Sequence, residues 1–241
     1  MDVQEFRETL RRGGVDIDKL QASLYKKPIY FYGAKGPILL EDQHRKLVGV
    51  VLDYKDRGYP LTPAVHDTHV FPGGRWEATD TTPQDTFQRE RGEEYFIPHN
   101  VLTGEVVTVG DFYSQFPCSK HGTYADLTSI FANRVPIAAL RDALQVTSTD
   151  LDSLVEAINR RAGESRQRVI SADQLMKEVE KFGFMDGKKL VRTVEKLYET
   201  TPKVSDTKGG VLIELPTKPT DTYESRRAFF DAYLFNNKLS A

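Results

Sequence analysis

The chain has 241 residues, a formal net charge of −2, 39% hydrophobic and 28% charged residues. This suits one large domain, or one domain with an appendage, and is long enough to bury a proper core. There is no overall basic field to draw in nucleic acid, no apolar run nears membrane-spanning length, and a single cysteine, Cys118, excludes an internal disulfide or a cysteine-rich zinc site.

The opening MDVQEFRETLRRGG lacks the apolar core of a signal peptide, so a cytoplasmic protein is expected. Residues 2–11 predict a helix, with Val3, Phe6 and Leu10 spaced three and four apart, stopped at Gly13-Gly14. A second short helix is expected over Asp16–Tyr25, and residues 1–25 read as a packing segment, with a lid or a dimerisation arm as alternatives. Ile29–Tyr32 reads as a strand, Gly33–Gly36 as a turn and Pro37–Leu40 as the returning strand. Leu47–Tyr54 fits either a helix, through Leu47, Val50, Val51 and Tyr54, or a buried strand. His66 and His69 lie in a loop entering a strand, where residues three apart point to opposite faces; a substrate contact or a polar edge fits them better than a shared metal.

The most informative stretch runs from Val70 to Ile97, VFPGGRWEATDTTPQDTFQRERGEEYFI. If residues 83–95 form a helix, Glu90, Glu93 and Glu94 stand at i, i+3 and i+4 and share a face. Three carboxylates so close repel one another, and a hard divalent cation would remove that cost. The preceding Phe71-Pro72-Gly73-Gly74 permits a tight turn and close approach of an anionic ligand. A solvated acidic helix turn is the bland alternative.

This stretch resembles the Nudix box, G-x5-E-x7-R-E-U-x-E-E-x-G-U with U apolar. Gly74 matches the leading glycine, and Arg89, Glu90, Glu93 and Glu94 match the R-E-x-x-E-E core. The gap from Gly74 to Arg89 is one residue longer than standard, which, with FPGG, resembles the coenzyme A diphosphatase branch; the basic stretch usual upstream in that branch is not evident. Asp80 or Glu77 would have to serve as the early acid. Arg91 stands where the box has an apolar residue, Phe96 where it has glycine, and Gly92 weakens the helix interior. The resemblance favours a strand for Leu47–Tyr54 and implies an α/β/α sandwich with a mixed sheet over residues 26–147.

After the box, Glu105–Val109 and Leu127–Phe131 read as strands and Gln115–Gly122 as a loop, with Lys120, His121 and Tyr124 as candidate contacts and Cys118 as incidental. From residue 148 a helical C-terminal extension is expected: a helix over Asp150–Arg161, one capped by Ser171 and running to Phe182, and a third over Lys188–Tyr198, then a strand Val211–Leu215. Three helices followed by a strand can form a winged helix, but Lys/Arg and Asp/Glu nearly balance here, and a packing or dimerising extension fits better. Tyr223–Leu234 predicts an aromatic helix that docks.

By the resemblance, the function is metal-dependent hydrolysis of a nucleoside diphosphate linked to another moiety. Glu90, Glu93 and Glu94 would hold Mg²⁺ or Mn²⁺, and Arg89 would brace them. Gly73, Gly74, Arg75, Trp76 and His121 would meet a nucleotide-type substrate, Trp76 by stacking on a base unless it is a half-buried structural residue. No membrane or nucleic-acid partner is expected; a homodimer is compatible. The competing reading is a weakened nucleotide sensor with output through the C-terminal helices. Within the box helix, Phe87 is expected to carry the inward packing and Arg91 to be exposed.

Overall fold

The computed structural model describes residues 3–12, 14, 32–57, 66–94, 97, 100–102, 104–118, 122–148, 150–161, 167–207, 209–215 and 221–225. In chain order the elements are α1 (Val3–Arg12), β1 (Tyr32–Lys35), β2 (Ile38–Glu41), β3 (Leu47–Lys55), β4 (Thr68–Val70), β5 (Gly73–Arg75) and α2 (Pro83–Glu94). They continue with β6 (Val106–Cys118), β7 (Gly122–Pro136), α3 (Ile137–Ala143), α4 (Leu151–Arg161), β8 (Gln167–Ser171) and α5 (Ala172–Lys177). The last are β9 (Glu180–Phe182), α6 (Asp186–Tyr198), β10 (Val204–Asp206) and β11 (Val211–Leu215).

The described strands form one mixed sheet. Its main path runs β10-β9-β4-β3-β2-β7-β1-β5, with β6 beside β7, β11 beside β6 and β8 beside β3. Alternation along the strands sorts side chains to two faces. Ile38, Leu40, Val51 and Val135 cluster with Leu140 of α3 and Leu154 of α4, while Phe131 and Ala34 receive Phe87 of α2. On the other face, Leu39, Val50, Leu52, Ile130 and Ala132 pack on Leu175 of α5 and on Leu190 and Val194 of α6. The expected α/β layering with a mixed sheet is therefore present, and Leu47–Tyr54 lies within a strand.

Several expectations are corrected. Gly33–Gly36 is no turn: β1 and β2 both run parallel to β7, from Tyr32↔Leu127 to Lys35↔Ile130 and from Ile38↔Asn133 to Glu41↔Pro136. The chain passes straight through Gly36-Pro37. Proline offers no N–H to the ladder, but the Pro37 carbonyl accepts from the Asn133 N–H at 3.1 Å and the Gly36 N–H donates to Pro72 at 3.0 Å. Gly36 rides so close on β7 that a Cβ there would lie 1.6 Å from the Phe131 carbonyl oxygen. Much of Gln115–Gly122 is not loop, because β6 reaches Cys118 and β7 begins at Gly122, with Cys118↔Gly122 paired.

Among the described residues the C-terminal region is not a separate helical extension, because α4, α5 and α6 alternate with strands β8 to β11 that join the sheet. Helix α5 begins where expected, with the Ser171 hydroxyl accepting the Gln174 N–H at 3.1 Å, but ends at Lys177. Glu180–Phe182 is drawn into the sheet as β9, parallel to β10 and meeting β4 at His69↔Phe182. Sheet pairing overrides the helical spacing of Leu175, Met176 and Val179, and Val179 is left exposed. Strand β8 pairs with β3 across Gly49↔Ser171 to Asp53↔Gln167, and β11 pairs with β6 across Val211↔Gln115 to Leu215↔Asp111. Since β10 pairs with β9 and β11 with β6, the two do not form the hairpin of a wing. Asp16–Tyr25, Ile29–Phe31, Lys120, His121 and 226–234 lie outside the described residues.

A buried polar junction ties α6 to the turn before β5. Asp186, fully buried at the head of α6, accepts the Phe71 N–H at 2.9 Å and pairs with Lys35 at 2.7 Å and with buried Lys189 at 3.5 Å. An anion at a helix N-terminus is favoured by the helix dipole.

Helix α2 packs differently from expectation at one of two positions. Phe87 is buried and stacks on Phe131 with ring centroids 5.0 Å apart. Arg91 is also buried, not exposed, because its guanidinium reaches the Leu102 carbonyl beyond the helix, with Nη2 donating at 2.5 Å. In urea unfolding, Phe87→Ala should cost about 3–5 kcal/mol. Arg91→Ala should cost about 1–3 kcal/mol, since it strips a buried carbonyl of a charged donor. A loss for Arg91→Ala no larger than that of a surface substitution would show that the guanidinium is held by water instead.

Candidate active site

Of the two glycines of FPGG, Gly73 is required by the backbone around it, and Gly74 leaves room for a side chain. Gly73 has φ of 136°, and a Cβ there would lie 2.4 Å from the Ala34 carbonyl oxygen and 2.5 Å from Lys35 Cα. A Cβ on Gly74 would lie 2.0 Å from Oε1 of Glu90. Strand β5 thus sits antiparallel to β1, at Ala34↔Gly74 and Lys35↔Gly73, with the Glu90 carboxylate directly over Gly74.

The start of α2 is fixed by a reciprocal cap. The Thr82 hydroxyl accepts the Asp85 N–H at 3.2 Å, and the Asp85 carboxylate accepts the Thr82 N–H at 2.7 Å and the Thr81 N–H at 3.1 Å. Pro83 follows at the first helical position, where a missing N–H costs nothing. This sets the helix phase that aims Thr86, Arg89 and Glu90 at the preceding loop.

Arg89 is the hub. Its Nε and Nη2 bind the two oxygens of Asp80 at 3.3 and 3.0 Å, Nη2 also donates to the Arg75 carbonyl at 2.7 Å, and Nη1 donates to Glu90 at 2.8 Å and to Glu93 at 3.3 Å. Glu77 adds an ion pair at 3.6 Å. Of the two candidates for the early acid, Asp80 makes the forked pair with Arg89. Hydrogen bonding to Asp80 leads in holding the Arg89 guanidinium firmly charged, against some desolvation. The Asp80 carboxyl lies below its ordinary range; burial alone would raise it, but the bonds from Arg89, the Glu77 N–H and Thr86 outweigh burial. Glu90 shows the opposite balance: burial pushes its carboxyl up and Arg89 only partly offsets this.

Glu90 is buried and Glu93 exposed, and their carboxylates meet at one nitrogen of Arg89. Glu94 ends α2, and its side chain, like those of Cys118, His121 and Tyr124, lies outside those described. Arg75 and Trp76 are exposed beside the glycine pair; the Trp76 ring nitrogen donates to the Asp80 carbonyl at 2.8 Å, so this residue holds the loop as well as facing solvent. His69 is not gathered into the site: its Nε2 faces Glu180 at 3.2 Å, and burial lowers its pKa despite that carboxylate. Two residues the sequence reading passed over also reach the site. The Thr86 hydroxyl donates to Asp80 at 2.9 Å and lies 2.8 Å from the Tyr223 hydroxyl. Thr82-Pro83-x-Asp85 signals the helix start and hence Thr86; no local pattern points to Tyr223.

Two carboxylates converging on a shared cation are donors of the kind that hard ions such as Mg²⁺ or Mn²⁺ take. The site fits such an ion in donor chemistry, though among the described residues no group of three His, Cys, Asp or Glu side chains is arranged to hold one.

No protein-family profile matches the chain, and no curated protein does. Among solved structures, NrtR from Shewanella oneidensis is similar at 13% identity and a TM-score of 0.46, over 70% of this chain and 64% of that one. This chain therefore spans less than two thirds of NrtR. A Nudix hydrolase from M. smegmatis, RenU, is similar at 16% identity and a TM-score of 0.30, over 59% of this chain and 71% of that one. A mutT/nudix family protein from Listeria innocua is similar at 13% identity and a TM-score of 0.32, over 59% of this chain and 79% of that one.

The raised Glu90 pKa has a consequence for stability. The folded protein binds that proton more tightly than the unfolded chain, so the contribution is present below the ordinary glutamate value and is lost as pH rises through the raised one. Glu90→Gln, measured without metal by urea unfolding, should match wild type near about pH 4 and below and become the more stable protein at neutral pH. A wild type that gains on the variant with rising pH would show that the attraction of Arg89 outweighs burial.

Proposed function

We propose that the protein is a metal-dependent hydrolase of Nudix type that cleaves the diphosphate of a nucleoside diphosphate linked to another moiety. One observation carries this reading: Arg89 clamps Asp80 on one side while its Nη1 gathers Glu90, seated over Gly74 of β5, and Glu93. A solvated acidic helix turn has no need of a buried glutamate seated on a glycine.

In this reading Glu90, Glu93 and Glu94 would hold Mg²⁺ or Mn²⁺, which would supply charge neutralisation at the diphosphate and a lower pKa for the attacking water. The chain's own residues do the positioning. Arg89 keeps the carboxylates together and their repulsion in check. The glycine pair of β5 leaves room for an anionic group beside them, Arg75 offers it a positive charge, and the exposed face of Trp76 offers a surface on which a base stacks. The ligand is of nucleotide type; no described helix is long and apolar enough to cross a membrane.

A nucleotide sensor is the second reading, favoured by the contact between Asp186 at the head of α6 and the Phe71 N–H in the FPGG turn, since a ligand at that turn would be felt by the C-terminal region. A hydrolysis and binding screen with Mg²⁺ and Mn²⁺ separates the two. It should include coenzyme A, ADP-ribose, NAD, dinucleoside polyphosphates, nucleotide sugars and capped RNA. Turnover of at least one compound is expected; saturable binding without turnover across the screen would favour the sensor.

Glu93→Gln removes an exposed charge that contributes little to the fold. It should lower the metal-dependent rate by about 10²-fold or more, mainly in kcat. Its melting temperature without metal should stay at or above that of wild type, while added Mn²⁺ should raise it less. An unaltered kcat in Glu93→Gln would remove this residue from the metal set.

A further inference from the structure

We propose that Tyr223 is a positioning residue of the candidate site, acting through Thr86 and Asp80 on Arg89, so that residues 221–225 are part of that site; this rests on reading Arg89 and its carboxylates as the working constellation. Tyr223 and Thr86 are 137 residues apart in sequence, yet their hydroxyls lie 2.8 Å apart in a buried contact.

The direction of the hydrogen bonds follows from counting protons. A threonine hydroxyl has one hydrogen and two lone pairs. Thr86 gives that hydrogen to Oδ2 of Asp80 at 2.9 Å. The Tyr223 O–H must then be the donor to Thr86, and the relay runs Tyr223 to Thr86 to Asp80. Such a chain polarises each successive bond. Oδ2 also accepts the Glu77 N–H at 3.1 Å and Nη2 of Arg89 at 3.0 Å, while Oδ1 accepts Nε of Arg89 at 3.3 Å. Thr86 and the Glu77 N–H therefore hold the carboxylate with both oxygens facing the guanidinium fork.

Tyr223 grips the same loop at two further points. Its N–H donates to the Thr81 carbonyl at 3.1 Å, and its ring lies against Trp76 with centroids 5.5 Å apart. Trp76 in turn donates to the Asp80 carbonyl. The consequence falls on Arg89. While Asp80 occupies Nε and Nη2, only Nη1 reaches Glu90 and Glu93. A loosened Asp80 would free the guanidinium to swing onto those two carboxylates, where it would compete with a metal ion.

The test uses the full chain, with Tyr223→Phe removing one hydroxyl and Thr86→Val replacing the relay with a side chain of the same shape. Hydrogen exchange of the Arg89 Nε–H, followed by NMR without metal or substrate, should quicken about fivefold in either variant, and the double variant should go no further. Fluorescence of Trp76, the sole tryptophan, should be unchanged in Tyr223→Phe, because the ring stays in place. Against a substrate found in the screen, kcat should fall about fivefold with KM unchanged. An unchanged Arg89 exchange rate in Tyr223→Phe overturns the proposal whatever the kinetics, and so do additive effects in the double variant. Altered exchange in a protein whose wild type hydrolyses nothing upholds the positioning role and removes the hydrolase reading.

Discussion

One guanidinium holds the candidate site together. Arg89 lies within ion-pair distance of Glu77, Asp80, Glu90 and Glu93, at 3.6, 3.0, 2.8 and 3.3 Å. Without it, a buried Glu90 beside a second glutamate would be an uncompensated charge, which interiors tolerate only when it is neutralised or paired. Arginine suits the task better than lysine because its planar fork can grip Asp80 with two nitrogens and still present a third to the glutamates. The fork makes the loop and the helix one object: Asp80 comes from the loop before α2, Glu90 and Glu93 from α2 itself, and the Arg75 carbonyl from the end of β5.

That object is fastened to the sheet from both faces. On one face Gly74 admits the Glu90 carboxylate, and Phe87 anchors α2 on Phe131. From the other face Asp186 reaches the Phe71 N–H, and Lys35, opposite Gly73 in the ladder, pairs with the same carboxylate. A buried ion pair of this kind adds little net stability over an apolar replacement, but losing one partner is costly. Its effect here is geometric: the segment leading into β5 is held at Phe71 by α6, which is far away in sequence.

How much of this was legible in the sequence depended on whether the signal was local. The start of α2, the Ser171 cap and α6 are all written within a few residues, and each is found where expected; the Gly73-Gly74 pair, expected to turn, is instead strand β5. The misread places were decided at a distance. Gly33–Gly36 has the composition of a turn, yet parallel pairing with β7 carries it straight on. Glu180–Phe182 continues a helical pattern, yet β10 and β4 claim it as a strand. Arg91 looks like a surface charge, yet its guanidinium is buried, because it finds the Leu102 carbonyl beyond the helix. Nothing near Tyr223 announces that its hydroxyl closes a chain on Asp80.

Arg91 and Gly92 inside α2 look like defects when each is judged by helix propensity alone. The geometry supplies a partner for the first, whose guanidinium donates to the Leu102 carbonyl. Gly92 has no such answer, since a Cβ there would meet nothing within 4 Å, and an exposed glycine in a helix interior costs about 1 kcal/mol. A helix with that defect is stabilised less by its own propensity than by what holds its flanks: the Thr82–Asp85 cap at its start, Phe87 beneath it and Arg91 beyond it. Those contacts, more than the helix's own propensity, hold Arg89, Glu90 and Glu93 in register with Asp80.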